Sequence, residues 1–161
     1  MSNSISWILL IFIFGFIGCG THEQKEIKRL VKELQHESTE ISSRVEETLV
    51  KIGKDTVPTL IQALQDKNAS SRVEETLVKI GKDAVPALIP ALQDRNQLVR
   101  RRTARVLSRI GEDAVPALVQ LLQDKDRNIR RDATWALGRI RERSEDAVPA
   151  LIRALQDEDA V

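Results

Sequence analysis

Three groups of residues in this 161-residue chain are of types that do chemistry elsewhere. The first is a pair of dipeptides, His22-Glu23 and His36-Glu37, which offer imidazole and carboxylate, sensible ligands for iron. The second is Cys19, the one cysteine of the chain, so neither an internal disulfide nor a thiolate cluster can form. The third is arginine. Arg100, Arg101, Arg102, Arg105 and Arg109 crowd one short stretch and are followed by Arg127, Arg130, Arg131 and Arg139. Such a basic stripe binds anionic head groups, nucleic acid or acidic protein. No Gly-rich phosphate loop, Ser-His-Asp set or Cys-His zinc spacing accompanies them. With two His and no Tyr, candidates for general acid or base are few. No catalytic residue, metal site or cofactor is therefore assigned.

Charge is unevenly spread. The formal net charge is +1, yet residues 21–94 hold 11 basic and 13 acidic groups, residues 98–143 hold 12 and 6, and residues 144–161 hold 1 and 5. A basic middle lies between two acidic flanks. Beyond position 19 the only aromatic is Trp135, so the body must pack Leu, Ile, Val and Ala, a composition that suits helices.

The elements that must position these residues come in two kinds. From Ile5 to Gly18 the chain is almost wholly apolar, but 14 residues as a helix cover about 21 Å, short of the roughly 30 Å hydrocarbon core. A secretion signal explains this length better than a membrane span. The end of the run, Phe16-Ile17-Gly18-Cys19, resembles a bacterial lipoprotein signal. That resemblance implies that Cys19 is lipidated, becomes the new N-terminus and holds the protein to a membrane of a bacterial cell envelope.

The rest is a repeat. Val-Pro occurs at Val57-Pro58, Val85-Pro86, Val115-Pro116 and Val148-Pro149, at intervals of 28, 30 and 33, and Leu-Gln-Asp begins seven residues after each Val. Ser42–Asp55 and Ser70–Asp83 are the same 14 residues. Each unit reads as two helices. The second carries its apolar stripe at Val57, Leu60, Ile61 and Leu64 and at the equivalent later positions. Asp55, Asp83, Asp113 and Asp146 are expected to cap its N-terminus, with Pro in the first turn. The first helix has a matching stripe: Ile41, Val45, Leu49 and Ile52 correspond to Val99, Thr103, Leu107 and Ile110, then to Ile129, Ala133, Leu137 and Ile140. Gly53, Gly81 and Gly111 are expected to end it. Pro90 lies inside a second helix and is expected to cost about 3 kcal/mol unless the helix kinks.

Ile27, Leu30, Val31 and Leu34 carry the second-helix stripe once more, 30 residues ahead of the first unit. The expected architecture is therefore all-α: an α-solenoid of about four helix-turn-helix repeats (39–68, 69–96, 97–127 and 128–161) after a signal segment (1–19) and a tether with a half-repeat capping helix (20–38). Nine helices in all are expected. After Asp157 the chain stops where a next first helix would begin, so Leu151 or Leu155 is expected to be partly uncovered, and concentration-dependent self-association through that open end is expected.

The units VRRRTARVLSRIGEDAVPALVQLLQD and IRRDATWALGRIRERSEDAVPALIRALQD resemble HEAT repeats of the phycobilisome-lyase-like class. The resemblance implies a right-handed solenoid whose second helices line a concave side, here bearing Gln62, Gln65, Gln93, Gln120, Gln123 and Gln156. It also implies an Asp–Arg ladder between units, with Arg100 and Arg130 each six residues after Asp94 and Asp124. For function, the expectation is a protein-interaction scaffold without catalysis. Two enzymatic alternatives belong to the same resemblance. A deoxyhypusine hydroxylase builds a di-iron site from His-Glu pairs on successive repeats, but here the two pairs stand 14 residues apart, not one repeat. A bilin lyase must hold a long anionic tetrapyrrole, for which arginines are present but aromatic walls are not. The expected contact residues for a protein partner are Arg100, Arg101, Arg105, Arg109, Arg130 and Arg131. Secretion makes nucleic acid an unsuitable partner.

Overall fold

In the computed structural model, residues 20–35, 39–66, 71–143 and 152 are described. Cys19, His36, Asp146, Leu151, Leu155 and Gln156 lie outside them, as do the expected signal and nearly all of the expected second helix of the last unit. Among the described residues there are eight α-helices and no strand: α1 Gly20–Leu34, α2 Thr39–Ile52, α3 Val57–Ala63, α4 Ser71–Ile80, α5 Val85–Leu92, α6 Gln97–Ile110, α7 Val115–Gln120 and α8 Arg127–Arg143.

The helices form two layers. α2, α4, α6 and α8 pack successively in one, and α1, α3, α5 and α7 in the other. Between the layers α1 meets α2, α3 meets α4, α5 meets α6 and α7 meets α8. This is an all-α solenoid. Each helix has one apolar stripe that a single partner cannot cover, and stacking repeats joins the stripes into a continuous core. Leu34, Leu49, Leu60, Leu64, Leu77, Leu88, Leu92, Leu107 and Leu118 are fully buried along it, with Ile140 at its far end. Burial of each such side chain is worth about 1.5–3 kcal/mol. The half-repeat helix α1 joins the same core, since Ile27, Leu30, Val31 and Leu34 are all buried.

The corners are built differently from the sequence expectation. Gly53, Gly81 and Gly111 do stop the first helices with positive φ of 73°, 68° and 89°, a region glycine enters without a Cβ clash. The following Asp55, Asp83 and Asp113 do not cap the second helices. They lie in 3-10 turns, Gly53–Thr56, Gly81–Ala84 and Glu112–Ala114, and no side chain caps α3, α5 or α7. Residues Thr56, Ala84 and Ala114, immediately before those helices, already have right-handed helical backbone, so no extended residue is present to hold a cap. Side-chain caps appear instead on first helices. Asn96 Oδ1 accepts from the backbone N–H of Leu98 (2.9 Å) at the start of α6, and Asp126 Oδ1 accepts from Asn128 (2.8 Å) at the start of α8. Pro90 lies within α5 but only two residues from its end, on an exposed side, and the next turn closes with Gln93 N–H donating to the Pro90 carbonyl (3.0 Å).

Candidate interaction surface

Residues four apart on a helix share a ridge. On the side of the first-helix layer away from the core, four such ridges follow one another: Ser43, Glu47 and Lys51 on α2; Ser71, Glu75 and Lys79 on α4; Arg101, Arg105 and Arg109 on α6; Arg131, Trp135 and Arg139 on α8. The first two are neutral by composition. The last two carry five arginines and the single aromatic of the described residues, Trp135, which is 46% exposed.

Two rungs of polar contacts lock this layer together. Glu74 on α4 is buried, its carboxylate 3.2 Å from Arg105 Nη1 and 3.9 Å from Arg102 Nε on α6. Arg102 also donates from Nη1 to the carbonyls of Leu64 (3.0 Å) and Asp66 (2.6 Å), reaching back past one whole unit. On the other side, Arg100 Nε is 3.4 Å from Asp132 Oδ2 of α8, and both side chains are about nine-tenths buried, at 12% and 9% exposure. The Asp–Arg ladder is thus realised with other partners than the six-residue spacing implied. Arg100 donates from Nη1 to the backbone carbonyls of Asp94 (2.9 Å) and Arg95 (3.0 Å), and Arg130 does the same to those of Asp124 (2.7 Å) and Lys125 (3.0 Å). The carboxylates of Asp94 and Asp124 instead accept from the backbone N–H of Asn96 (2.7 Å) and Asp126 (2.8 Å). Asp124 also accepts from Gln93 Nε2 (2.8 Å) in the preceding unit. The Asp126 N–H and the Gln93 amide hold the Asp124 carboxyl below its ordinary value.

The six arginines expected to meet a partner therefore separate. Arg100 is taken up by the packing of α6 against α8. Arg105 keeps 57% of its side chain exposed while pairing with Glu74, and Arg131 keeps 54% while its Nη2 lies 3.4 Å from Asp132. Arg130 is exposed and holds its own loop. Arg101 and Arg109 are exposed with no ion pair or hydrogen bond among the described residues. Trp135 and Arg139 stood outside the six expected contact residues, although Arg139 belongs to the basic stripe. Their signal was present in the four-residue spacing of 131, 135 and 139 and in its offset of 30 from 101, 105 and 109. The glutamines expected on the second helices, Gln62, Gln65, Gln93, Gln120 and Gln123, are all exposed. His22 is exposed as well, and no three His, Cys, Asp or Glu among the described residues are grouped so as to hold a metal ion. No helix among those residues is long and apolar enough to cross a membrane.

Two-layered stacking of this kind defines an α-solenoid. The family model described as HEAT repeats matches residues 85–161, and the same two-helix packing extends back to α1. Similar solved structures include an engineered protein (21% identity over 80% of this chain and 68% of that one, TM-score 0.36). Another is the complex of CpcE and CpcF of phycocyanin lyase from Nostoc (23%, 84% and 89%, TM-score 0.42). A third is a designed armadillo repeat protein in complex with a (KR)4 peptide (17%, 80% and 70%, TM-score 0.38). No curated protein matches the sequence.

Proposed function

We propose that this chain is a non-catalytic protein-interaction scaffold, anchored to a bacterial membrane by lipid on Cys19, whose two basic ridges hold an acidic protein partner. The observation that carries this reading is the pair of neighbouring ridges on α6 and α8, where five arginines flank a half-exposed Trp135. Trp and Arg are the residue types that most often dominate binding energy at protein interfaces. An array of like charges on packed neighbouring helices also costs the fold some self-repulsion, which an acidic partner relieves.

Two measurements test it. With the full chain expressed in a bacterial host, Cys19→Ser abolishes acyl labelling and moves the protein out of the membrane fraction; an unchanged distribution overturns the anchor. In crosslinking capture from envelope extracts, the double substitution Arg101→Glu with Arg109→Glu lowers recovery of an acidic partner by about tenfold or more. Ser71→Glu, at the equivalent place on the neutral half, leaves it unchanged. Equal loss from both variants, or from neither, removes the basic ridges from the account.

A further inference from the structure

Among the described helices of the second layer, only α1 carries Lys or Arg. Its buried stripe is Ile27, Leu30, Val31 and Leu34. Lys25, Lys28, Arg29 and Lys32 repeat that spacing two positions earlier, and two residues turn a helix by about 200°, so the four cations lie on the side away from the core. All four are exposed. Acid neutralises part of this side. Arg29 Nε is 3.6 Å from Glu26 Oε2 and 3.3 Å from Glu33 Oε1, whereas the ammonium groups of Lys25, Lys28 and Lys32 have no partner among the described residues. The exposure belongs to the ridge itself. Lys25, Lys28 and Lys32 correspond to Asp55, Pro58 and Gln62 and to Asp83, Pro86 and Pro90, and all six of these are exposed although α3 packs between α1 and α5, and α5 between α3 and α7.

We infer that the Lys25–Lys28–Lys32 ridge rests on the anionic phospholipid head groups of a bilayer. Charge and chain position select this occupant. Three free ammonium groups on one side of a helix complement a layer of phosphates, and each is attracted while it lies within a Debye length of the surface. Gly20, the first residue of α1, directly follows Cys19. At 1.5 Å per residue, Lys25 stands about 9 Å and Lys32 about 20 Å along the helix from that position, so a bilayer held at Cys19 meets all three when α1 lies along its surface. A covalent lipid combined with a basic patch is what makes attachment stable. The apolar stripe of α1 is used by the core, so the contact is electrostatic and salt-sensitive. The inference rests on the anchored reading and leaves the arginine ridges free, since those lie on the first-helix layer.

The test uses the full chain bound to vesicles of phosphatidylcholine, or of an equal mixture of phosphatidylcholine and phosphatidylglycerol, with each lysine's acylation by a water-soluble reagent followed by mass spectrometry. Lys25, Lys28 and Lys32 label about tenfold more slowly on the anionic vesicles, and molar salt removes the difference. Lys51, on the opposite layer, and Lys125 label equally on both. Lys28→Glu with Lys32→Glu removes the protection of Lys25 while thermal unfolding shows the fold intact, and Arg101→Glu with Arg109→Glu retains it. The protection is a difference between two surfaces carrying the same chain, so it is read separately from the anchor, which acyl labelling of Cys19→Ser reports. Equal labelling on the two vesicles overturns the inference, as does protection that extends to Lys51 and Lys125 or that the Arg101→Glu, Arg109→Glu variant loses. Crosslinking of Lys28 to an acidic envelope protein, without slower labelling on anionic vesicles, also overturns it, because the occupant would then be a protein.

Discussion

The first two units and the last two share one packing plan and differ in what their first helices show to solvent. α2 and α4 come from identical 14-residue segments, Ser42–Asp55 and Ser70–Asp83, and both present Ser, Glu and Lys. α6 and α8 present Arg, Arg, Arg and Arg, Trp, Arg. Even the identical pair is not equivalent in the fold. Glu46 and Glu74 are the same residue of the duplicated segment, and both are buried. Among the described residues Glu46 pairs only with Lys79 (3.0 Å), whose side chain is largely exposed, and its Oε1 has no hydrogen-bond partner there. Glu74 is held between Arg102 and Arg105. The difference arises from the next repeat, since α4 covers Glu46 with a lysine whereas α6 covers Glu74 with two arginines. A repeat's local sequence sets its helix, and its neighbour sets the worth of its polar groups.

The sharpest way to break this comparison is to remove the two carboxylates in turn. Glu74→Leu leaves Arg102 and Arg105 facing a buried apolar site and is expected to cost about 2 kcal/mol in urea unfolding. Glu46→Leu is expected to be neutral or slightly stabilising, because an unpartnered buried oxygen is lost and Lys79 is solvated. Equal effects would show that the duplicated segments are energetically alike after all.

Two glycines separate corner from ridge in the same way. Gly81→Ala, at φ of 68°, is expected to lower stability by about 1 kcal/mol, and Gly138→Ala, in α8 with open space around it, to raise it by about 1 kcal/mol. Thermal unfolding of both variants reads the opposite signs. A smaller gain is expected at Thr103, whose hydroxyl is buried without a partner among the described residues, while Val45 and Val73 stand at the equivalent places. Thr103→Val should therefore stabilise by about 1 kcal/mol or less, measured by the same unfolding experiment.

The smallest effect concerns the loop between the third and fourth units. Asp124 has its folded pKa lowered by the Asp126 N–H and by Gln93. Its contribution to stability is present above the ordinary carboxylate range and is lost as pH falls through the lowered folded value. The group is solvent-exposed, so the loss is slight. Comparison of wild type with Asp124→Asn across acid pH checks it: the variant should lack that last increment of acid sensitivity.

Much of this was legible in the residues. The Val-Pro spacing, the 3.6-residue stripes and the Gly stops located the helices and the half-repeat, because helical periodicity is local and the repeats state it several times. The corners were less legible. Asp-x-Val-Pro looks like a cap and helix start, yet Gly and three following residues suffice to enter the next helix through a 3-10 turn, and the Asp side chain does not cap it. The candidate surface was legible in part. Clustering of arginine was visible, but which guanidiniums are consumed was not. Arg100 and Arg101 are adjacent in sequence, and one is buried against Asp132 while the other faces solvent, because successive helical residues point about 100° apart.

The sequence by itself determined the helices, their repeat length, the apolar core they share and the basic bias of the third and fourth units, all properties of spacing along one chain. Tertiary structure decided the partners. Arg102 reaches Leu64 and Asp66 across 38 and 36 residues. Glu74 differs from Glu46, and Arg100 reaches Asp132 of the next first helix while Arg130 is held by the carbonyls of its own loop. Each outcome depends on which helix stacks next, and the strength of a charged group follows from the burial and partner that this neighbour supplies.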